Sequence, residues 1–275
     1  MSKTPPPTVV VTGAAGGIGA ALAAAAVRVG WVVGMLDRDV DAVESAARTV
    51  GDAAVALVAD ITDEKSVATA LDRFAGVTGR EAPDGLVCNA GIVRFGPLLD
   101  LDVDDWRAVA EVNLTGTFVV ARAVARRLVA AHQPGSMVMI TSINGIAAGP
   151  NAGAYGATKA GVARLSQQMA LEWAGSGIRV NAVAPGLIDA GMSAPIYADD
   201  DIRRRRSAAV PLERLGTAEE IASVVLFLLS DAAAYVTGAE LVVDGGVSTS
   251  VLATLPRPRS VDAVGPASVS GQDGT

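Results

Sequence analysis

Residues Thr8 to Gly30, TVVVTGAAGGIGAALAAAAVRVG, decide how this chain folds. A β-branched run from Val9 to Thr12 comes first and leads into a loop rich in glycine. An alanine-rich stretch follows and closes at Gly30. Because β-branched residues favour strands and alanine favours helices, the segment predicts a strand, a tight turn and a helix in that order.

The same alternation of apolar strands and helices continues along the chain. Apolar strands separated by helices are typical of a parallel sheet covered on both faces, and right-handed crossovers then give a doubly wound sheet. We therefore predict an α/β fold, a single Rossmann-type domain over residues 8–250 with about seven strands. Residues 251–275 are rich in Pro, Ser and Gly, and we expect them to form a poorly ordered tail. Beyond the first βα unit, strands are predicted at 31–36, 53–59, 85–88, 136–141, 178–183 and 240–243, and helices at 40–50, 63–77, 104–131, 155–174 and 219–229.

The composition limits the classes of function. A formal net charge of −7 argues against a broad nucleic-acid-binding surface, and no apolar run approaches the roughly 20 residues that cross a bilayer. The single cysteine, Cys88, excludes an intramolecular disulfide, and its apolar neighbours predict a buried packing role. The single histidine, His132, excludes a multi-histidine metal site. We expect a soluble cytoplasmic protein with no metal, no nucleic-acid partner and no membrane partner.

The glycine loop has the features of a phosphate-binding turn. Gly13, Gly17 and Gly19 allow a tight turn and a close approach of the backbone to a pyrophosphate. Ile18 lies in the same loop, and the helix that follows offers free N–H groups at its N-terminus. The spacing differs from the common GxGxxG fingerprint, because three residues separate Gly13 from Gly17.

Asp37 ends the second predicted strand, 18 residues after Gly19. An acid at this place can accept hydrogen bonds from the adenosine ribose hydroxyls of a dinucleotide, and its charge would repel a 2′-phosphate. The loop and the acid together predict NAD as the cofactor. Arg38 leaves NADP open, because a neighbouring arginine can pair with that phosphate. A helix N-cap or a turn residue is the alternative for Asp37.

The pattern Tyr155-Gly-Ala-Thr-Lys159 makes the sequence more specific. Taken with the motifs that surround it in order, it resembles the short-chain dehydrogenase/reductase family over about Thr8 to Gly246. A YxxxK pattern alone is common, and the number of motifs in order carries the resemblance. The other motifs are TGAAGGIG at 12–19, Asp60, Asn89-Ala90-Gly91, Asn113, Ser142, Pro185-Gly186, Thr237-Gly238 and Val243-Asp244-Gly245-Gly246.

Tyr155 and Lys159 share one helix face, because residues four apart are neighbours on a helix. A lysine ammonium beside a phenol favours the phenolate, so we expect Lys159 to lower the pKa of Tyr155 from about 10. Tyr155 can then act as a general base in alcohol oxidation and as a general acid in ketone reduction. Ser142, at the carboxyl end of a strand, can donate a hydrogen bond to the substrate oxygen.

The resemblance implies further roles. Lys159 would also bind the nicotinamide ribose, and Asn113 would help hold a water relay to solvent. Many family members have a cofactor-contacting threonine where this chain has Ala190; Ser193 is a candidate substitute, or the contact is lacking. The other implied cofactor-binding residues are Asp60 and Ile61 at the adenine, Asn89, Ala90 and Gly91 on the adenosine side, and Pro185, Gly186 and Ile188 around the nicotinamide.

Substrate choice is expected to lie in the segment 187–210, a partly apolar lid. Within it Arg203–Arg206 follow Asp199–Asp201, a pattern that predicts a solvated helix of mixed charge. Arg94 is either a contact for an anionic group or an ordinary surface residue. The expected substrate-contacting residues are Ser142, Asn144, Tyr155, Leu187 and Met192.

Three functions fit these patterns. The first is an NAD-dependent oxidoreductase that transfers a hydride between the nicotinamide and a secondary alcohol, polyol or ketone. The second is a 3-oxoacyl or other ketone reductase that uses NADPH, against which Asp37 argues. The third is a non-catalytic dinucleotide-binding sensor or scaffold, against which Ser142, Tyr155 and Lys159 argue. The resemblance also implies a homotetramer with the helices at 104–131 and 155–174 at an interface, and core-facing helices are the alternative.

Overall fold

A computed structural model describes residues 5–250 of the 275-residue chain. The tail expected at 251–275 lies outside the described residues. All the predicted strands are present, and their limits differ from the prediction by at most two residues. They are β1 Thr8–Thr12, β2 Val32–Asp37, β3 Ala54–Val58, β4 Gly85–Cys88, β5 Gly135–Ile140, β6 Ile178–Pro185 and β7 Glu240–Val243.

The strands form one seven-stranded sheet in the order β3-β2-β1-β4-β5-β6-β7. Every neighbouring pair is parallel. The order reverses direction at β1 and β4, which is the place where an open α/β sheet leaves a crevice beyond the carboxyl ends of its strands. The predicted doubly wound parallel sheet is confirmed.

The helices cover the sheet on both faces. One apolar cluster joins the sheet to α3, α5 and α6, and a second joins its other face to α1, α2 and α8. Alanine and valine supply much of both clusters, so helices and sheet approach closely without large aromatic side chains. The helices are α1 Gly17–Arg28, α2 Val40–Val50, α3 Glu64–Thr78, α4 Val103–Ala110, α5 Thr117–Ala130, α6 Tyr155–Trp173, α7 Asp200–Ala209 and α8 Ala218–Leu229.

The helix predicted at 104–131 is interrupted. A π-helical segment, Glu111–Gly116, lies between α4 and α5, and Asn113 is at its middle. Wider turns of this kind accommodate an extra residue without ending the helix, which hydrophobic periodicity does not reveal. By length and composition the stretch Val103–Ala130 is apolar enough to cross a membrane, but half of its apolar 18-residue window is buried within the fold. Its buried side chains belong to the cluster that covers the sheet.

Candidate active site

The first strand, the glycine loop and the fourth strand are joined by side-chain hydrogen bonds. Asn89 Nδ2 donates to the carbonyl oxygens of Thr12 at 3.0 Å and Gly13 at 3.1 Å. In return Thr12 Oγ1 accepts hydrogen bonds from the backbone N–H groups of Asn89 and Ala90, each at 3.0 Å. These bonds fix the path of the loop where it leaves the sheet, so Asn89 supports the loop from below.

The loop leaves no room for side chains. A Cβ at Gly19 would lie 2.2 Å from the carbonyl oxygen of Gly13, and Gly17 has a φ of +56° that favours glycine. Helix α1 then begins at Gly17 with no side-chain cap and no acid in its first turn. Its first N–H groups are therefore available to an anion at the positive end of the helix dipole. This arrangement fits the pyrophosphate of a dinucleotide.

Asp37 lies at the end of β2 beside the loop. Its Oδ2 accepts the backbone N–H of Ala15 at 3.2 Å, and its Oδ1 accepts that of Asp39 at 3.2 Å. The carboxylate is thus held in place by backbone, and each oxygen retains a further lone pair for a ribose hydroxyl. The helix N-cap of α2 is Asp39, whose side chain accepts the N–H of Ala42, and the N-cap alternative for Asp37 is wrong.

A cleft opens next to Asp37 and contains the residues expected at the adenosine. Hydrogen bonds from Thr62 lower the pKa of Asp60, and the positive charge of Arg38 lowers it further. Arg38 therefore lies close enough to Asp60 to act on its charge, as well as beside Asp37. The cleft is lined by Gly13, Leu36, Asp37, Arg38, Ala59, Asp60, Ile61, Ala90, Gly91, Ile92 and Val112.

Asn113 is fully buried and joins three parts of the site. Its Oδ1 accepts the N–H of Ile92 at 2.8 Å, and its Nδ2 donates to the carbonyl oxygen of Ile92 at 2.9 Å. The same Nδ2 donates to Thr158 Oγ1 at 3.2 Å, and Thr158 Oγ1 donates to the carbonyl oxygen of Tyr155 at 2.8 Å. Both amide hydrogens of Asn113 are thus used within the protein, so its amide cannot donate to a relay water without losing one of these bonds.

Ser142 and Tyr155 come together as the sequence predicts. Ser142 follows β5 and caps a short helical turn by accepting the N–H of Asn144 at 3.1 Å. Tyr155 begins α6, and a hydrogen bond with Ser142 lowers the pKa of its hydroxyl. Burial acts in the opposite direction and is stronger, so the pKa of Tyr155 is raised above its ordinary value.

Lys159 lies one turn further along α6, buried at 4% exposure. Its Nζ donates to the carbonyl oxygen of Ile140 at 2.7 Å and is 5.6 Å from the centre of the Tyr155 ring. Burial lowers the pKa of Lys159 to about 8. The expectation that Lys159 lowers the pKa of Tyr155 is wrong for this arrangement, because burial dominates both groups. The Cys88 thiol is also buried, which raises its pKa to about 12 and keeps it neutral.

The residues expected around the nicotinamide lie at the end of β6. Pro185 pairs with Val243 of β7, and a Cβ at Gly186 would lie 2.5 Å from Asp244 Cα. Ile188 follows and is buried. Ala190 has no polar side-chain atom, so only its backbone can form hydrogen bonds at this position. Its carbonyl oxygen accepts a hydrogen bond from the N–H of Ser193 at 3.2 Å.

The other expected substrate residues are dispersed. Asn144 is beside Ser142, and Leu187 lines a cavity with Ile188, Val210 and Leu212. Met192 is exposed. Arg94 forms an ion pair with Asp105 at 3.2 Å on the surface. Of the two alternatives for Arg94, its position is that of an ordinary surface residue. Contacts of this set with a substrate stay a prediction.

Two features of the site escaped sequence reasoning. Thr158, inside the Tyr155–Lys159 motif, joins Asn113 to the start of α6, and only its position between two named residues could have drawn attention to it. Asp189 and Arg203 form an ion pair at 2.7 Å across 14 residues, a separation that follows no helical or strand period. Among residues 5–250, no cluster of three or more His, Cys, Asp or Glu could hold a metal ion.

The buried ammonium of Lys159 predicts a stability cost that depends on pH. Its ordinary pKa of 10.5 falls to about 8 in the fold, so between those values the unfolded chain binds more protons and folding becomes more favourable as pH rises. Below pH 8 the full cost of burying the charge is present, on the order of 3 kcal/mol. We expect Lys159→Met to melt at a higher temperature than wild type at pH 7, with an advantage that shrinks towards pH 10. Thermal melts across this pH range test it, with the exposed Lys65→Met as the control that shows no such trend. A less stable Lys159→Met at pH 7 would contradict the prediction.

Comparison with known proteins agrees with this geometry. A family model described as Enoyl-(Acyl carrier protein) reductase matches residues 13–248. The cis-4-hydroxycyclohexanecarboxylate dehydrogenase of Sinomonas cyclohexanicum is 45% identical over 240 residues, 86% of this chain and 94% of that protein. The 2-(S)-hydroxypropyl-CoM dehydrogenase 3 of Xanthobacter autotrophicus is 38% identical over 87% of this chain and 96% of that one.

A solved structure shows the same fold. The crystal structure of a short-chain type dehydrogenase/reductase from Mycobacterium marinum superposes with a TM-score of 0.82 at 32% identity, covering 91% of this chain and 96% of that one. The family model extends over residues 13–248, nearly all of the described residues, and the relatives cover a similar share of the chain. The chain therefore belongs to the short-chain dehydrogenase/reductase family and is an NAD(P)-dependent oxidoreductase that acts on CH–OH groups.

Proposed function

We propose that this chain is an NAD-dependent dehydrogenase of a secondary alcohol or polyol, working reversibly on the corresponding ketone, with Tyr155 as the general acid and base. The observation that carries the proposal is the closeness of Ser142 to the Tyr155 hydroxyl, whose pKa it lowers, with Lys159 beside the same ring at the edge of the sheet that holds the glycine loop. The relatives named as dehydrogenases of hydroxy compounds support the reaction class.

Each residue then has one task. Bound NAD would supply the acceptor for the hydride of the carbinol carbon, and the residues of the protein hold and move the proton. Tyr155 Oη takes the hydroxyl proton of the alcohol, or donates it to the ketone oxygen in reduction. Ser142 Oγ donates a hydrogen bond to the same oxygen and stabilises the charge that develops there. Lys159, one turn further along the same helix, can bind the nicotinamide ribose, which is the other role that the family resemblance implies for it.

The family resemblance implies a water relay that carries the proton to solvent, and Asn113 is the residue it assigns to that relay. Asn113 uses its amide to fix Ile92 and Thr158, so we assign it a positioning role for the relay rather than direct contact with a water through that amide. A Cβ at Gly91 would lie 3.2 Å from Asn113 Oδ1 and 3.6 Å from Lys159 Nζ. Because Gly91 has no side chain, the Lys159 ammonium and the Asn113 amide can both lie next to its Cα.

NADPH-dependent reduction of a ketone is the second candidate. Arg38 supports it, because its charge lies beside the adenosine cleft and acts on Asp60. Asp37 opposes it, because its carboxylate is fixed by two backbone N–H groups and cannot easily turn away from a 2′-phosphate.

Turnover of an alcohol and ketone panel, followed by the absorbance of reduced nicotinamide, tests the reaction. Tyr155→Phe removes the acid–base hydroxyl and should lower kcat by about a thousandfold or more while leaving NADH affinity within about twofold. The matched control is Tyr235→Phe, which removes the same atom from a fully exposed side chain and should leave turnover unchanged. An active Tyr155→Phe would overturn the mechanism. Binding of NADH without turnover of any substrate by wild type would support the non-catalytic sensor instead.

Cofactor preference is tested by titrating NADH and NADPH and following the fluorescence of the reduced nicotinamide. Wild type should bind NADH more tightly, and Asp37→Ala should reduce the preference by about tenfold or more, because the carboxylate both accepts ribose hydroxyls and repels a phosphate. Asp39→Ala removes an acid of equal charge two residues away and should leave the preference unchanged. Tighter NADPH binding by wild type would establish the second candidate.

We also propose a cytoplasmic homotetramer. Helices α4 and α5 expose the large apolar side chains of Val103, Trp106, Phe118 and Val129, and α6 exposes Leu171. Light scattering should give about four times the 27.7 kDa mass of the chain. Phe118→Asp should lower that mass, whereas Val29→Asp, at an exposed apolar site after α1 on the other face of the sheet, should not. A wild-type mass of one chain would rule the tetramer out.

A further inference from the structure

Arg203 joins separate parts of the segment that follows β6. Its Nη1 forms an ion pair with Asp189 Oδ2 at 2.7 Å, near the beginning of the segment. Its Nε donates to the carbonyl oxygen of Tyr197 at 3.1 Å, at the middle of the segment. One guanidinium on α7 therefore closes the chain from residue 189 to residue 203 into a loop.

Tyr197 is the fixed point of this loop. The side chain is 1% exposed although most of its neighbours in the sequence are exposed. The guanidinium carbons of Arg203 and Arg206 lie 6.0 Å and 5.7 Å from the centre of its ring, within the range of cation–π attraction. The two arginines thus contribute to the burial of the Tyr197 ring.

The other two arginines of the run Arg203–Arg206 make different contacts. Arg204 and Arg205 both pair with Asp201, three and four residues earlier on the same helix. The predicted solvated helix of mixed charge describes these two. Arg203 and Arg206 instead contact residues outside α7, so the run contains two structural classes that its sequence does not distinguish.

The beginning of the segment lies against the expected cofactor site. Asp189 directly follows the buried Ile188, and its N–H donates to the carbonyl oxygen of Gly216 at 2.9 Å. Two residues later Gly191 lies against the glycine loop, where a Cβ at Gly17 would be 2.8 Å from Gly191 Cα. The position of residues 189–191 therefore sets the shape of the site at both the nicotinamide end and the pyrophosphate end.

We propose that Arg203 and Asp189 are positioning residues for the reaction: their ion pair, with the Arg203–Tyr197 contacts, holds the segment 189–203 over the site before ligands bind. The expected change in kinetics rests on the proposed function. The expected loosening of the segment 189–203 rests on the contacts alone. Without the pair, the segment has to be ordered when ligands bind, and the cost of ordering it weakens their binding.

Chymotrypsin cleavage after Tyr197 tests the structural part without any turnover. Asp189→Asn, which keeps the shape and removes the charge, and Arg203→Gln should both speed this cleavage by about fivefold or more, measured by mass spectrometry of the fragments. Cleavage after the fully exposed Tyr235 is the internal reference. Arg205→Gln is the matched control, since it makes the same substitution on the same helix and breaks only the pair with Asp201.

Kinetics test the positioning role. In both variants KM for the alcohol and Kd for NADH should rise about fivefold, with kcat within about twofold of wild type, because the acid–base groups are untouched. The double variant should be no worse than Arg203→Gln alone, since both changes break one interaction. Arg205→Gln should match wild type.

The outcomes separate this inference from the proposed function. Unchanged cleavage after Tyr197 in both variants, or equal effects of Arg205→Gln and Arg203→Gln, would overturn the positioning role and leave the dehydrogenase proposal intact. Lost kcat with unchanged KM would also overturn it. If wild type turns over no alcohol or ketone, the proposed function fails, and the cleavage and NADH-binding results still decide the inference.

Discussion

The site depends on one buried carboxamide. Asn113 ties the loop after β4 to the first turn of α6 through Ile92 and Thr158, and it does so from the π-helical segment between α4 and α5. Because the amide is fully buried, a lost partner would leave a polar group unsatisfied, at a cost of about 1–3 kcal/mol. That constraint fixes where α6 begins, and with it the positions of Tyr155 and Lys159.

The acid–base pair occupies an environment that works against charge. Burial raises the pKa of Tyr155 and lowers the pKa of Lys159, so in the fold as described both groups are driven towards their neutral forms. Ser142 is the neighbour that opposes this for the tyrosine. Functional sites often retain such unfavourable burial, because a group held at little cost in water would be less responsive to a bound ligand.

The fold and the strand-end residues could be predicted because they follow local rules. The glycines at 13, 17 and 19, the acid at 37 and the alternation of strands and helices each reflect backbone geometry or periodicity. The direction of the pKa shift of Tyr155 could not be predicted, because it depends on how deeply α6 is buried. The π-helical segment and the ion pair between Asp189 and Arg203 depend on packing between elements, and no spacing in the sequence indicates them.

The sequence by itself determined the doubly wound sheet, the glycine loop and the order in which the site residues arrive, because parallel strands bring their carboxyl ends to one edge wherever the chain alternates in this way. The tertiary structure decided which neighbours each polar group meets. Leu187 lines a cavity with Val210 and Leu212, Arg94 pairs with Asp105, and Arg203 pairs with Asp189. Such choices are made by burial and by distances across the fold, which a linear pattern does not contain.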